Sequence, residues 1–345
     1  MNITFLIGNG FDLNCGLNSR YTDVYKQYTK TESSSELISK FKKDIDFNTN
    51  RWGDFEVAMS EYLCNFKSED DFLTCLRDFR NYLMLYLKAE QDNYLSVANL
   101  CKQDKNIMKE VKTSIEEFYM GITNNLDYQL STMMAKQSIN RRFISFNYTN
   151  IFDFYLSMVN SFARVNHIHG ILGREIVLGM DNEAQISEMQ YEMTNRTRRA
   201  FIKSYFNNYF DNNRLQNAIR VIQESDIICA FGMSLGKSDA MWKNAIYSTL
   251  QQNENCHVFI YRRRYTHMNV ADVFERLDIE ERAKKETLSD IEIPKDKYNS
   301  CFNRLHIPVG KRIFKLNYED LYKRIDVINN EAEKLKAQMP TNLNR

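Results

Sequence analysis

The sequence predicts an α/β protein. Its core is a Rossmann-like, mostly parallel sheet with helices on both faces and a large helical insertion after the first strand. Three observations predict it. The chain opens on an apolar run, Ile3-Thr4-Phe5-Leu6-Ile7, that turns at once through Gly8-Asn9-Gly10-Phe11-Asp12. Two later runs, Asp226–Phe231 and His257–Tyr261, are apolar on successive residues, which suits parallel strands covered on both faces. Between them, Ser238–Gln251 carries a helical pattern, which makes a βαβ unit.

The opening run reads as the first strand. It is too short to span a membrane, and it lacks the basic n-region and small-residue cleavage site of a signal peptide. From residue 21 to 139 the pattern is helical. Phe72, Leu76, Phe79, Leu83 and Leu87 recur at three- and four-residue steps, as do Val111, Ile115, Ile122, Leu126 and Leu130. This stretch holds only Gly53 and Gly121 and no proline, as expected of an inserted helical subdomain. Strand-like runs return at 143–146, 165–168 and 175–178, and residues 183–224 read as helical. The charged segment 278–300, with Pro294, reads as a surface excursion. Residues 318–337 (Tyr318, Leu321, Ile325, Val327, Ile328) read as a polar helix, and 338–345 as a frayed end. The expected organisation is a nucleotide-binding core of 1–20 plus 140–318, an insertion at 21–139, and a C-terminal helix and tail at 319–345. No internal repeat or low-complexity tract is visible.

Charge and cysteine content narrow the function classes. The 46 basic and 45 acidic side chains leave a formal charge of +1, which gives no bulk electrostatic footprint for nucleic acid or an anionic membrane. Seven cysteines, an odd number with no Cys-x-x-Cys pair, argue against a disulfide framework and a zinc ribbon and favour a reducing cytoplasm.

In parallel α/β sheets, ligands bind beyond the carboxyl ends of the strands. Four polar loops fall there: Gly8-Asn9-Gly10-Phe11-Asp12, Asn147-Tyr148-Thr149, His169-Gly170, and Gly232-Met233-Ser234 with Asp239 a turn later. Each alone is a weak signal. Leu13 breaks a G-x-G-x-x-G fingerprint, and no P-loop is present. Asn147 suits a helix cap near Asn150, His169 a satisfied core histidine, and Gly232-Met233-Ser234 an ordinary turn with Ser238 as N-cap. Four compatible loops at four strand ends form a stronger pattern than any one of them.

In this order the motifs resemble the AbiH family of bacterial phage-defence (abortive infection) proteins. The carrying residues are FLIGNGFDLNCGL at 5–17, Tyr21, RWGDFE at 51–56, SFNYT at 145–149, HIHG at 167–170, VLGMD at 177–181 and FGMSLGKSD at 231–239. The series also looks like a distant version of a sirtuin-type NAD site. That resemblance implies Gly8, Asn9, Gly10, Phe11 and Asp12 against the pyrophosphate and Asn147 and Thr149 at the nicotinamide ribose. It implies His169 as a base, and Gly232 and Ser234 toward the adenosine; Asp239, a turn beyond that loop, is counted with the nucleotide-binding residues. Two positions depart from the pattern: Asp12 stands for a serine and Thr149 for an aspartate. The zinc-binding cysteine pairs of protein-deacylating sirtuins are absent, so no metal is expected and NAD hydrolysis fits better than deacylation.

The expected function is therefore antiphage defence by cleavage of the nicotinamide–ribose bond of NAD, in the cytoplasm. Such cleavage passes through an oxocarbenium-like state. Asn147 offers a donor and an acceptor to a ribose hydroxyl or to water, and His169 titrates near neutrality and serves as base. His167, on the same strand face, is the fallback. Asp12 binds a ribose hydroxyl, pairs with Arg20, or caps the following helix. Arg262-Arg263-Arg264 reads first as a solvated cluster, although it follows a strand and is placed to meet a phosphate. Cys15 reads as a buried thiol. Trp52, Asp54 and Glu56 either fix the insertion against the sheet or, through Glu56, reach the site. The alternatives are a non-catalytic nucleotide sensor and, less favoured by the balanced charge, a nucleic-acid-acting effector. A toxic hydrolase needs restraint, so the partners expected are a phage-derived trigger and a second copy of the chain.

Overall fold

A computed structural model describes residues 1–321 apart from 123, 161, 188–189, 210–212, 237–238, 318 and 320. The expected helix at 318–337, except Leu321 and residue 319, and the tail at 338–345 lie outside the described residues, as does the expected cap Ser238. Among the described residues there are six strands: β1 (Asn2–Ile7), β2 (Asn140–Ser145), β3 (Val165–His167), β4 (Ile227–Phe231), β5 (His257–Tyr261) and β6 (Leu305–His306). They form one sheet in the order β3-β2-β1-β4-β5-β6. Every neighbouring pair is parallel. The order is that of a doubly wound Rossmann-type sheet, with its topological switch point between β1 and β4.

Alternate residues of each strand go to opposite faces and meet helices on both. On one face Phe5, Ile7, Phe143, Cys229, Phe231 and Phe259 pack under the helices Lys105–Glu116, Asn124–Ala135 and Ile151–Val159. On the other, Leu6, Ile144, Ile228, Ala230, Val258 and Ile260 meet the helices Arg214–Gln223, Ala240–Gln252 and Val273–Asp290. Burial on both faces explains why β1, β4 and β5 are apolar on successive residues.

The stretch between β1 and β2 is helical, and its two halves pack differently. Helices Tyr21–Tyr28, Glu36–Phe47, Phe55–Tyr62 and the first two-thirds of Glu69–Ala98 share an aromatic core of their own. Phe55 and Phe79 stack in it at 4.1 Å between ring centroids. From Tyr94 to Met134 the buried residues belong to the core on the sheet face instead. Gln91 joins the two regions: its Oε1 accepts from the Asn150 amide, 2.8 Å away, in the loop after β2.

Several elements differ from expectation. Residues 175–178 make only an isolated antiparallel bridge, Gly170 to Ile176, because Gly170 turns the chain back on itself. The segment read as a charged excursion is mostly helix (Val273–Asp290), with Ile279, Ala283 and Leu288 buried at helical spacing under charges that face solvent. Among its described residues, the 183–224 stretch has a short 3-10 turn, Glu183–Gln185, and then the helices Asn195–Phe201, Lys203–Tyr209 and Arg214–Gln223. The Val111–Leu130 series is broken after Glu116 by a turn ending at Gly121. The two-residue β6 carries too short a pattern to be read from sequence.

Candidate functional site

The turn after β1 is held by the loop after β4. The Gly8 amide donates to the Phe231 carbonyl at 2.9 Å, and the Gly10 amide to the Gly232 carbonyl at 2.8 Å. A Cβ at Gly8 would lie 2.6 Å from the Gly232 carbonyl oxygen. One at Gly232, where φ is +73°, would lie 2.6 Å from the Phe11 amide nitrogen. These glycines let two backbones touch across the switch point. Phe11 is fully buried, edge-on to Phe152 and Phe314, so it is a core residue rather than a ligand contact.

Asp12, in the short helix Gly10–Cys15, turns the other way. Its carboxylate, 1% exposed, accepts from Asn147 Nδ2 at 3.0 Å and from Thr149 Oγ1 at 2.6 Å. Burial pushes the Asp12 carboxyl up to about 6, against the pull of these two hydrogen bonds and the His167 charge. Arg20, a partner considered for Asp12, lies instead 3.8 Å from Asp23. Asn147 is not a helix cap. It spans from Asp12 to His167, whose Nδ1 is 3.2 Å from the Asn147 carbonyl and whose Nε2 is 2.9 Å from Asp153. Asn147 Oδ1 is covered and has no hydrogen-bond partner among the described residues. It borders a recess of about 50 Å³ lined by Asn9, Asp12, Ser19, Tyr21, Tyr148 and Thr149. Asn9 is laced to Ser19 by two hydrogen bonds, at 3.0 and 2.6 Å.

Further polar groups gather around Lys203, which sequence reasoning missed. Gly179 allows the chain to pass against the Phe201 carbonyl, and the Lys203 amide then bonds Met180. That brings Lys203 Nζ to 3.4 Å from Asp181. Burial works against the Lys203 ammonium, but Asp181, Glu56 and Asp239 outweigh it and hold its pKa above the usual lysine range. Glu56 accepts from the Tyr21 hydroxyl at 3.1 Å. Burial lifts the Glu56 carboxyl to about 7, with Lys203 opposing and Asp54 adding. Asp239 accepts from the Gly236 amide and Ser234 Oγ, at 3.0 and 3.2 Å, and so ties the β4 loop to this cluster. His169 packs against Phe146 and Tyr148. Burial, then the Lys203 charge, holds it well below the ordinary histidine value, and its Nε2 is covered without a partner. β3 ends at His167, so His167 and His169 do not share a strand face. Asp54 caps the helix Phe55–Tyr62, and Trp52 is a core residue bonded to Asp44.

A cleft of about 630 Å³ opens beyond the carboxyl ends of β1, β4 and β5. Gly10, Gly232 and Ser234 form one side. Arg262, Arg263 and Arg264 from the end of β5, with Arg20, His267 and Arg312, form much of the rest. Of the residues expected at the site, Gly10, Gly232 and Ser234 therefore line this cleft. Asn9, Asp12, Asn147 and Thr149 line the recess on the other side of the turn. Asn147 and His169 do not face one common cleft, and Gly8 is occupied by backbone packing. Arg312, like Lys203, comes from a stretch with no motif to mark it. Among the described residues, no group of three or more His, Cys, Asp or Glu side chains is arranged to hold a metal ion.

This arrangement draws on all the motif segments between residues 5 and 239, and the family model described as "Bacteriophage abortive infection AbiH" matches residues 4–261. The chain belongs to the AbiH family. The match runs from β1 through β5 and includes the glycine turn, the recess, the Lys203 cluster and the β4 loop; Arg312 and the helix Val273–Asp290 lie beyond it. No curated protein and no solved structure matches the chain. Among the described residues, no helix is long and apolar enough to cross a membrane.

Proposed function

We propose that this AbiH-family chain acts in antiphage defence by cleaving the nicotinamide–ribose bond of NAD. One observation carries the reading: the turn at Gly8–Asp12 lies between an arginine-lined cleft and a small recess where Asp12 and Asn147 meet Leu83 and Leu87, at a topological switch point, the usual place for a nucleotide in such a sheet. A dinucleotide laid across the turn directs its phosphates to the arginines and a ribose hydroxyl or the attacking water to the acceptors of the recess. At about 50 Å³ the recess suits a water or hydroxyl group, and the nicotinamide ring stays on the open side. The order of the four loops, similar to a sirtuin-type site, favours NAD among nucleotides.

In this reading the water oxygen attacks the ribose carbon while the carbon–nitrogen bond breaks and nicotinamide leaves as a neutral molecule. Asp12 takes the proton of the water, its raised pKa lying near the operating pH. Asn147 Oδ1 orients the water or a ribose hydroxyl. His169, the base suggested by resemblance, is desolvated beside Lys203 and is a weak base there. The phage-derived trigger and a self-associated resting state belong to the same proposal.

Purified protein incubated with NAD, with and without phage lysate, tests this by release of nicotinamide. Asp12→Asn is expected to lower turnover by about 10²–10⁴-fold, with Asn147→Ala below wild type and His169→Ala closer to it. No nicotinamide under either condition sinks the hydrolase. The closed recess, with Asp12 and Asn147 already bonded to each other, favours one second reading, a nucleotide sensor. That reading predicts NAD binding without turnover in the same assay.

A further inference from the structure

We infer that the arginine-lined cleft is a site for a pyrophosphate or longer phosphate chain, held by Arg263 and Arg312 with Arg20 at its rim. The inference rests on the cleft half of the reading above and not on its chemistry. A guanidinium is charged at any working pH, and its fork of donors matches phosphate oxygens. Two of the five arginines in the cleft are already neutralised. Arg262 lies 2.6 Å from Asp290, and Arg264 pairs with Glu286, which also accepts from Tyr265. These pairs account for both carboxylates of the cleft, so neither is free to repel an anion.

Arg263 and Arg312 make no ion pair with any described carboxylate, and Arg20 has only its 3.8 Å contact with Asp23. Arg312 Nε and one terminal nitrogen of Arg262 are covered and lack a hydrogen-bond partner among the described residues. Buried donors left unpaired are costly, which points to a ligand that supplies acceptors. His267, on the same wall, is held below the ordinary histidine value, by burial first and then by Arg312 and Arg263. The charges of both side chains therefore act on this wall of the cleft. Two guanidiniums without a carboxylate partner among the described residues, with Arg20 loosely held 3.8 Å from Asp23 at the rim, suit a linked pair of phosphates better than a single one. The volume, about 630 Å³, lies in the range of small-molecule sites.

Titration calorimetry on the full chain tests this with sodium pyrophosphate, orthophosphate and adenosine as probes. Pyrophosphate is expected to bind about tenfold or more tightly than orthophosphate, and adenosine to compete with neither. Arg263→Gln and Arg312→Gln are each expected to weaken pyrophosphate about tenfold, with Arg263→Lys between Arg263→Gln and wild type. Arg263 is exposed, so its variant reads binding even if Arg312→Gln fails to fold. Absence of pyrophosphate binding, or equal binding by wild type and both variants, overturns the inference. Pyrophosphate binding without nicotinamide release leaves the inference standing and removes the proposed cleavage. Nicotinamide release at undiminished NAD affinity in both variants removes the inference and leaves the cleavage.

Discussion

The two sides of the glycine turn are built on opposite principles. On the Gly10 side the wall is cationic and open, its arginines exposed or half-buried and two of them paired with Asp290 and Glu286. On the Asp12 side the wall is acidic and closed, with every donor committed: Asn147 and Thr149 to Asp12, His167 to Asp153. In the proposed reading one surface attracts a large anion and the other holds a small neutral group. That reading divides capture from chemistry across the backbone contact of Gly8 and Gly10 with Gly232.

This contrast breaks in graded ways. The largest effect is expected from removing the Asp12 charge, which should lower turnover by about 10²–10⁴-fold while leaving pyrophosphate affinity within about twofold, since Asp12 does not line the cleft. Parallel loss of both would merge the two sides into one. Gly232→Ala strikes the shared wall. Positive φ and a Cβ 2.6 Å from the Phe11 amide should together cost about 2–5 kcal/mol in urea unfolding. A cost below about 1 kcal/mol would mean that the loops are not held in backbone contact.

The acidic side also carries a pH signature. The Asp12 pKa is raised in the fold from 3.8 to about 6, so the protein favours the protonated form. That contribution to stability is present at low pH and is lost as pH rises through about 6. Asp12→Asn is therefore expected to gain up to about 3 kcal/mol over wild type at pH 8, and nothing near pH 3.5. Stability curves that stay parallel across this range would show that Asp12 is not desolvated. The same group acting as base predicts turnover that falls below about pH 6. The smallest change belongs to the cationic side: Arg263→Gln, at about tenfold in pyrophosphate affinity, should leave the pH profile of turnover in place.

How much of this was legible in the sequence follows from how local each feature is. β1, β4 and β5 were readable because burial on both faces writes an unbroken apolar run, and the turn after β1 because its glycines adjoin that run. The loop Asn147–Thr149 was found, but its bonds to Asp12 were not. Asp12 is 135 residues away from Asn147, and no periodicity encodes such a pairing. Lys203 was invisible for the same reason: it is placed by the passage of Gly179 against Phe201. Arg263 was seen and read as solvated, since nothing local shows that Arg312 comes to the same wall. The helix Val273–Asp290 was missed because most of its residues are charged and its buried face is narrow.

The position of β1 in the middle of the sheet has a consequence for the birth of the molecule. Residue 2 is 138 residues from its bonding partner Asn140 and 224 from Asp226. At translation rates of about 5–20 residues per second, the first strand leaves the ribosome roughly 10–45 s before its second neighbour exists. During that interval an apolar strand with two unpaired edges has only the nascent insertion to shield it. The aromatic core of Tyr21–Leu87 closes over shorter distances and has an early opportunity to form. Synthesis of this chain should accordingly depend on chaperones more than its balanced surface charge suggests.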